Sequence, residues 1–233
     1  MLAHVKFADF NDPDSVKRLI TKNTCAIFME TVQGESGIYP TTEYFIKGVR
    51  KLCNENKILM VLDEIQCGMG RSGNMFAYQL YDVAPDIVVS AKALGCGIPV
   101  GAIGTRGAAT GVLCAGDHGT TYGSNPLAAA AVTAVFQLYQ QYNILANVRA
   151  MTTYLDKALS ELAAQKVVIK EVRGLGLMKG IELSVPAAYY INALQEPGII
   201  VNPSGSHVIR LLPPLILEKE HIDALLYVLK KIL

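Results

Sequence analysis

Three short apolar runs constrain this chain more than any other feature. They are Cys25-Ala26-Ile27-Phe28-Met29, Ile58-Leu59-Met60-Val61-Leu62 and Asp86-Ile87-Val88-Val89-Ser90. Each is too brief for a globular helix and lacks the polar alternation of a half-exposed strand, which predicts strands buried on both faces. A short helix, Asp14 to Thr21, precedes the first run, with Asn11 or Asp12 as its cap and Pro13 just inside. A glycine-bearing loop, Gln33 to Pro40, follows that run. Thr42 to Asn56 then reads as a helix with Glu43, Lys47, Arg50 and Lys51 on its wet face. Strand-helix-strand alternation predicts a mainly parallel sheet with right-handed crossovers. In such sheets ligands bind beyond the carboxyl ends of the strands. Glu30, Asp63 and Lys92 all fall at that edge, from three separate strands.

The character changes further on. Asn125 to about Ala163 is helical with an interruption near Asn143. Val167–Val172, Leu177–Leu183 and His207–Leu211 then read as strands, with helices at Ala187–Gln195 and Lys219–Leu233. The expected organisation is an α/β large domain over residues 1–165, with an interdomain helix, and a small α+β domain over 166–233. With 233 residues, 51% of them hydrophobic, the chain can bury a substantial core. A formal net charge of +1 argues against a nucleic-acid surface or a basic membrane patch. The most apolar stretch, Pro126 to Phe136, is too short to span a bilayer and is expected to be a buried helix. Met1 to Lys6 carries no signal-peptide pattern. The five cysteines have no paired spacing and no histidine lies near a pair of them. Reduced thiols in a cytoplasmic protein, with no metal site, are expected.

Lys92 follows the third strand in Ser90-Ala91-Lys92-Ala93-Leu94-Gly95, and Asp63 ends the second. A strand-end lysine is ordinarily solvated and a strand-end aspartate ordinarily caps a turn. Here small neighbours (Ala91, Ala93, Gly95, Gly97) leave room for a ring. A low-dielectric setting would favour the neutral, nucleophilic amine. A lysine that condenses with an aldehyde and an aspartate that keeps a pyridine nitrogen protonated are what pyridoxal phosphate chemistry needs. Gly68-Met69-Gly70-Arg71-Ser72-Gly73 matches G-x-G-x-x-G, but Arg71, Ser72 and Asn74 prolong a loop where a dinucleotide fingerprint needs a helix. It is read as a glycine-rich turn. His118-Gly119-Thr120-Thr121-Tyr122-Gly123-Ser124-Asn125-Pro126 opens a helix and suits either a phosphate or ordinary capping by Ser124 or Asn125.

Taken in order, Glu30-Thr31-Val32-Gln33-Gly34-Glu35-Ser36-Gly37, Leu62 to Gly73, Pro85 to Gly95, His118 to Ala128 and Val172-Arg173-Gly174-Leu175-Gly176-Leu177 give the chain its likeness. It resembles the class III, ornithine-type, pyridoxal-phosphate aminotransferases over nearly its whole length. The resemblance implies the fold type I architecture of these transferases and a homodimer with shared active sites. It implies amino transfer from N-acetylornithine, or a related ω-amino acid, to 2-oxoglutarate, in arginine biosynthesis. Members acting on ornithine, succinyldiaminopimelate or 4-aminobutyrate are the alternatives, as is a non-catalytic truncated remnant. Residue by residue, it implies Lys92 as the Schiff-base lysine and proton carrier, and Asp63 as the partner of the ring nitrogen. Gln66 is implied as the contact of the phenolic oxygen, and Thr121, with Thr120 beside it, as a phosphate contact reaching across the dimer. Glu35 and Arg210 are implied as a gate in which the arginine takes the acceptor carboxylate. Thr31 stands where the family usually has proline, and Cys96 where glycine is common. The family chain is nearly twice as long. Its N-terminal phosphate loop, ring-stacking aromatic and carboxylate-binding arginine have no counterpart in these 233 residues, so a large domain truncated at its N-terminal side is expected.

Overall fold

The computed structural model describes residues 3–233. The short helix α1 (Pro13–Leu19) is capped by Asp12, whose carboxylate accepts from the Asp14 and Ser15 N–H groups. Then come β1 (Ala26–Glu30), the small hairpin β2 (Val32–Gln33) and β3 (Tyr39–Pro40), helix α2 (Glu43–Asn56) and strand β4 (Leu59–Asp63). After a glycine-rich turn, β5 (Ile87–Ser90) and β6 (Ala102–Thr105) complete the first sheet. Its order is β1-β4-β5-β6. The first three strands are parallel, as the alternation predicts, while β6 returns antiparallel to β5. Register places Glu30 opposite Asp63, and Asp63 opposite Val89. The carboxyl ends of three strands therefore lie side by side.

Helix α2 covers one face of this sheet. Phe45, Ile46, Val49, Leu52 and Cys53 pack on Met29, Met60 and Leu62. The opposite face departs from the expected burial. Phe28 and Ile103 are 63% and 64% exposed, because no element among the described residues lies over them. Helix α3 (Pro126–Gln141) is a second departure from the sequence reading. Only Ala128 and Val135 are buried on it, and Leu127, Phe136 and Leu138 face solvent. Its single packed stripe, Val132, Val135 and Tyr139, meets Met69 and Leu94, and nothing described covers the rest.

Asn143, at φ +47°, breaks the helical run and starts α4 (Ile144–Gln165). The second sheet follows, from β7 (Ile169–Leu175) and β8 (Met178–Leu183), then helix α5 (Ala188–Gln195), β9 (Asn202–Pro203) and β10 (Val208–Leu211). It is antiparallel throughout, in the order β7-β8-β10-β9. Helix α6 (Lys219–Ile232) and α4 pack against it through Leu155, Leu159, Leu162, Leu226 and Leu229.

The glycine-rich turn joins the two sheets. The Leu177 N–H donates to the Arg71 carbonyl at 2.9 Å. The Arg71 guanidinium donates to the carbonyls of Leu177 and Pro213. A side chain at Gly176 would collide with the backbone of Arg71 and Ser72. What looks like a dinucleotide motif is a docking turn that brings the β10 region over the end of the first sheet.

Candidate active site

Two adjoining hollows, of about 210 and 400 Å³, share Lys92. The smaller is lined by Glu35, Gln66, Arg71, Lys92 and Arg210, among others. The site thus draws on the β2–β3 loop, the turn after β4, the end of β5 and strand β10. Lys92 opens a 3-10 turn, Lys92–Leu94, at φ +49°. A non-glycine residue is uncommon in that left-handed region, and such strain collects at functional positions. Leu94 anchors the turn by packing with Met69 and Val135. Lys92 itself is exposed. The low-dielectric setting expected for it is absent here, because nothing described lies above that end of the sheet.

Asp63 is half-buried at the end of β4. Its Oδ1 accepts from the Ile65 N–H at 2.9 Å. Glu30, one strand over, lies in the field of Asp63, Glu35 and Lys92. Burial raises the Glu30 carboxyl above the usual range. The Gly34 N–H, 3.1 Å from its Oε2, pulls it back, while Asp63 and Glu35 push it up and Lys92 opposes them. The three strand ends therefore form one electrostatic unit, as their place on the parallel edge predicts.

Gln66 reaches from the turn after β4 to the β2–β3 loop. Its Nε2 donates to Glu35 Oε1 at 2.9 Å. Its Oε1 is buried without a partner among the described residues. The amide packs against Gly34, where any side chain would collide with it. Glu35 Oε1 also accepts from Arg210 Nη1 at 2.6 Å. Hydrogen bonds from Arg210 and Gln66 hold the Glu35 carboxyl below its usual range. The pair is asymmetric, since the Arg210 side chain is 12% exposed and that of Glu35 71%. Arg210 Nε is buried and unpartnered among the described residues. A largely buried guanidinium, holding a carboxylate that is mostly in solvent, can exchange that carboxylate for another.

An amine, a half-buried carboxylate beside it, an amide and a guanidinium around one cavity suit an aromatic aldehyde together with a carboxylate substrate. In that sense Lys92, Asp63 and Gln66 fit pyridoxal phosphate. Thr120 and Thr121 are not brought to this cavity. Both are exposed on the loop before α3, where Thr120 Oγ1 accepts from the Gly123 N–H at 3.2 Å and Asn125 caps the helix. Glu64 escaped the sequence reading. Wholly buried, it accepts from Thr31 Oγ1 at 2.6 Å, the Ala77 N–H at 2.7 Å and the Tyr78 N–H at 3.0 Å. It ties the end of β1 to the end of β4. The available signal was strand alternation along Leu62-Asp63-Glu64, which turns Asp63 and Glu64 to opposite faces.

The family described as aminotransferase class III matches residues 7–233. An acetylornithine aminotransferase of Methanocaldococcus jannaschii is 44% identical over 97% of this chain and 57% of the relative. One from Clostridium acetobutylicum is 42% identical over 96% of this chain and 58% of the relative. Among solved structures, N-acetylornithine aminotransferase from Stenotrophomonas maltophilia superposes with a TM-score of 0.86 at 34% identity, covering 97% of this chain and 61% of that one. The ornithine δ-aminotransferase of Plasmodium falciparum gives a TM-score of 0.90 at 33% identity, over 95% and 58%. The α/β architecture with its mostly parallel sheet is that of fold type I. The chain spans 57% and 58% of the length of those two curated relatives.

Proposed function

Because the chain belongs to the class III aminotransferases, a pyridoxal-phosphate-dependent family, we propose that it forms part of a transaminase. That enzyme moves an amino group from N-acetylornithine to 2-oxoglutarate in arginine biosynthesis. The observation that carries this reading is the Glu35–Arg210 pair in the cavity that Lys92 lines. When bound, pyridoxal phosphate supplies an aldehyde and an electron-accepting ring. Lys92 holds it through its amine, then carries a proton to and from the substrate carbon that bears the amino group. Asp63 keeps the proton on the ring nitrogen. Gln66 orients the ring through its phenolic oxygen. Arg210 takes the distal carboxylate of 2-oxoglutarate, and Glu35 neutralises the arginine while the other substrate is bound. One cavity can thus accept two substrates that differ in charge.

Thr121, with Thr120, is assigned to the cofactor phosphate of a second copy, which suits the exposed loop that carries them. A cytoplasmic homodimer with shared sites is part of the same reading, as is the division into a large domain over residues 1–165 and a small one over 166–233. The reading is tested by glutamate formation from N-acetylornithine and 2-oxoglutarate, comparing the chain alone with the chain joined to the remaining length of a relative. Glutamate from the joined form, dependent on Lys92, is expected, with little from the chain alone. Transfer from ornithine, succinyldiaminopimelate or 4-aminobutyrate in preference to N-acetylornithine would replace the substrate. Absence of transfer from every donor in a folded joined form would identify a non-catalytic remnant.

A further inference from the structure

The loop Gly34–Gly37 carries Glu35, and one small side chain from the second sheet holds that loop at both ends. Ser204 follows β9, at the turn of the β9–β10 hairpin that also carries Arg210. It is 2% exposed. Its Oγ accepts from the Gly37 N–H at 2.7 Å and donates to the Gly34 carbonyl at 3.1 Å. Its own N–H donates to the Val208 carbonyl at 3.0 Å, which fixes the hydroxyl on the hairpin. Arg210 Nη1 donates to the same Gly34 carbonyl, also at 3.1 Å, and to Glu35. The loop has little slack elsewhere. Gly37 sits at φ +123°, and a Cβ there would lie 2.8 Å from the Tyr39 ring and 3.0 Å from Arg173 Nη2. Arg173 Nε donates to the Gly37 carbonyl at 2.8 Å.

We propose that Ser204 is a positioning residue for the carboxylate gate. Its hydroxyl locks the Gly34–Gly37 backbone to the hairpin that carries Arg210. Glu35 then leaves and regains Arg210 by side-chain rotation about a fixed Cα, and the loop does not move. The inference rests on the preceding reading only for what the gate serves. The clamp itself is geometry internal to this chain. Without the hydroxyl, the buried Gly37 N–H loses its acceptor and the loop must shift to find another. That shift carries Glu35 away from Arg210. The other charged groups around Glu35 are Lys92 and Glu30, and neither touches Ser204.

The test is nuclear magnetic resonance on the 233-residue chain, following amide exchange at Gly37 and the titration of the Glu35 carboxyl carbon. In Ser204→Ala, Gly37 exchange is expected to speed up by about tenfold or more. The Glu35 midpoint is expected to rise toward the value seen in Arg210→Ala. Ser204→Thr keeps the hydroxyl and should restore both. Faster Gly37 exchange with an unmoved Glu35 titration would make Ser204 merely structural and overturn the proposal, as would no change in either. Should the alanine chain not fold cooperatively, Ser204→Cys, with its weaker donor, carries the same two readouts. Intermediate shifts would then support the clamp, and wild-type values would refute it. Neither readout involves cofactor uptake or glutamate formation, so the clamp and the proposed activity stand or fall separately.

Discussion

In the proposed gate, substrate preference turns on Arg210, and its surroundings define the prediction. The guanidinium is nearly buried, held by the Gly34 carbonyl, and pairs with a carboxylate that is mostly in solvent. With the remaining length of a relative supplied, Arg210→Ala should weaken the 2-oxoglutarate half-reaction by about 10- to 100-fold, the worth of a charge-assisted hydrogen bond. The amino-donor half-reaction should change far less. Glu35→Ala should favour dicarboxylates, and the double variant should be non-additive because the two residues touch. Half-reaction kinetics on the four proteins decide this, and equal, additive losses would count against a gate. Lys92 and Asp63 stood out in the sequence because each ends a short apolar run, whereas Gln66, Glu35 and Arg210 were named only through the family resemblance, and the structure brings Gln66, Glu35, Lys92 and Arg210 to one cavity. Ser204 was not. A serine in Asn202-Pro203-Ser204-Gly205-Ser206 reads as a turn residue, and only the contact with a loop some 170 residues away shows its use. Glu64 was hidden by its neighbour, since Asp63-Glu64 does not say which carboxylate turns inward.

At the scale of elements, one carboxylate holds three of them together. Asp86, just before β5, accepts through Oδ2 from Arg50 Nη1 of α2 at 2.7 Å and from the Met60 N–H of β4 at 2.8 Å. Burial pushes its pKa up, but the Met60 N–H, Arg50 and Arg106 outweigh that, and the net direction is down. A carboxyl depressed in the folded state adds stability that is present above its unfolded value, 3.8, and lost as the pH falls through the folded value. Asp86→Asn should therefore cost about 1–3 kcal/mol at neutral pH. The gap to wild type should narrow once the pH drops below 3.8. Urea unfolding across that range checks it, and a gap independent of pH would show that the charge of Asp86 contributes nothing. The helix spans and the three parallel strands could be read from periodicity. Strand β6 could not, because Gly101-Ala102-Ile103-Gly104-Thr105 is short and broken by glycine. Nor could the exposure of α3, since an alanine-rich apolar run looks the same whether or not something lies over it.

Across the whole molecule, two four-stranded sheets of different character meet at a glycine-rich turn, and the cavity forms where they meet. The first sheet supplies Asp63 and Lys92, and the second supplies Arg210 and Ser204. The change from strand-helix alternation to an α+β pattern was visible in the sequence, as was the order of motifs that marks the family, while the antiparallel pairing of the second sheet came from the structure. Which faces remain open was not. Phe28, Ile103, Leu127 and Phe136 stand exposed, in a chain that spans 57% of the length of its Methanocaldococcus relative. The central claim is that this junction holds pyridoxal phosphate on Lys92 and nowhere else. It is tested most directly by incubating the chain with pyridoxal phosphate, reducing with borohydride and mapping the modified peptides. A single adduct on Lys92 is predicted, lost in Lys92→Ala and weakened in Asp63→Asn. An adduct on Lys179, or one spread over surface lysines with Lys92 unmodified, would contradict it.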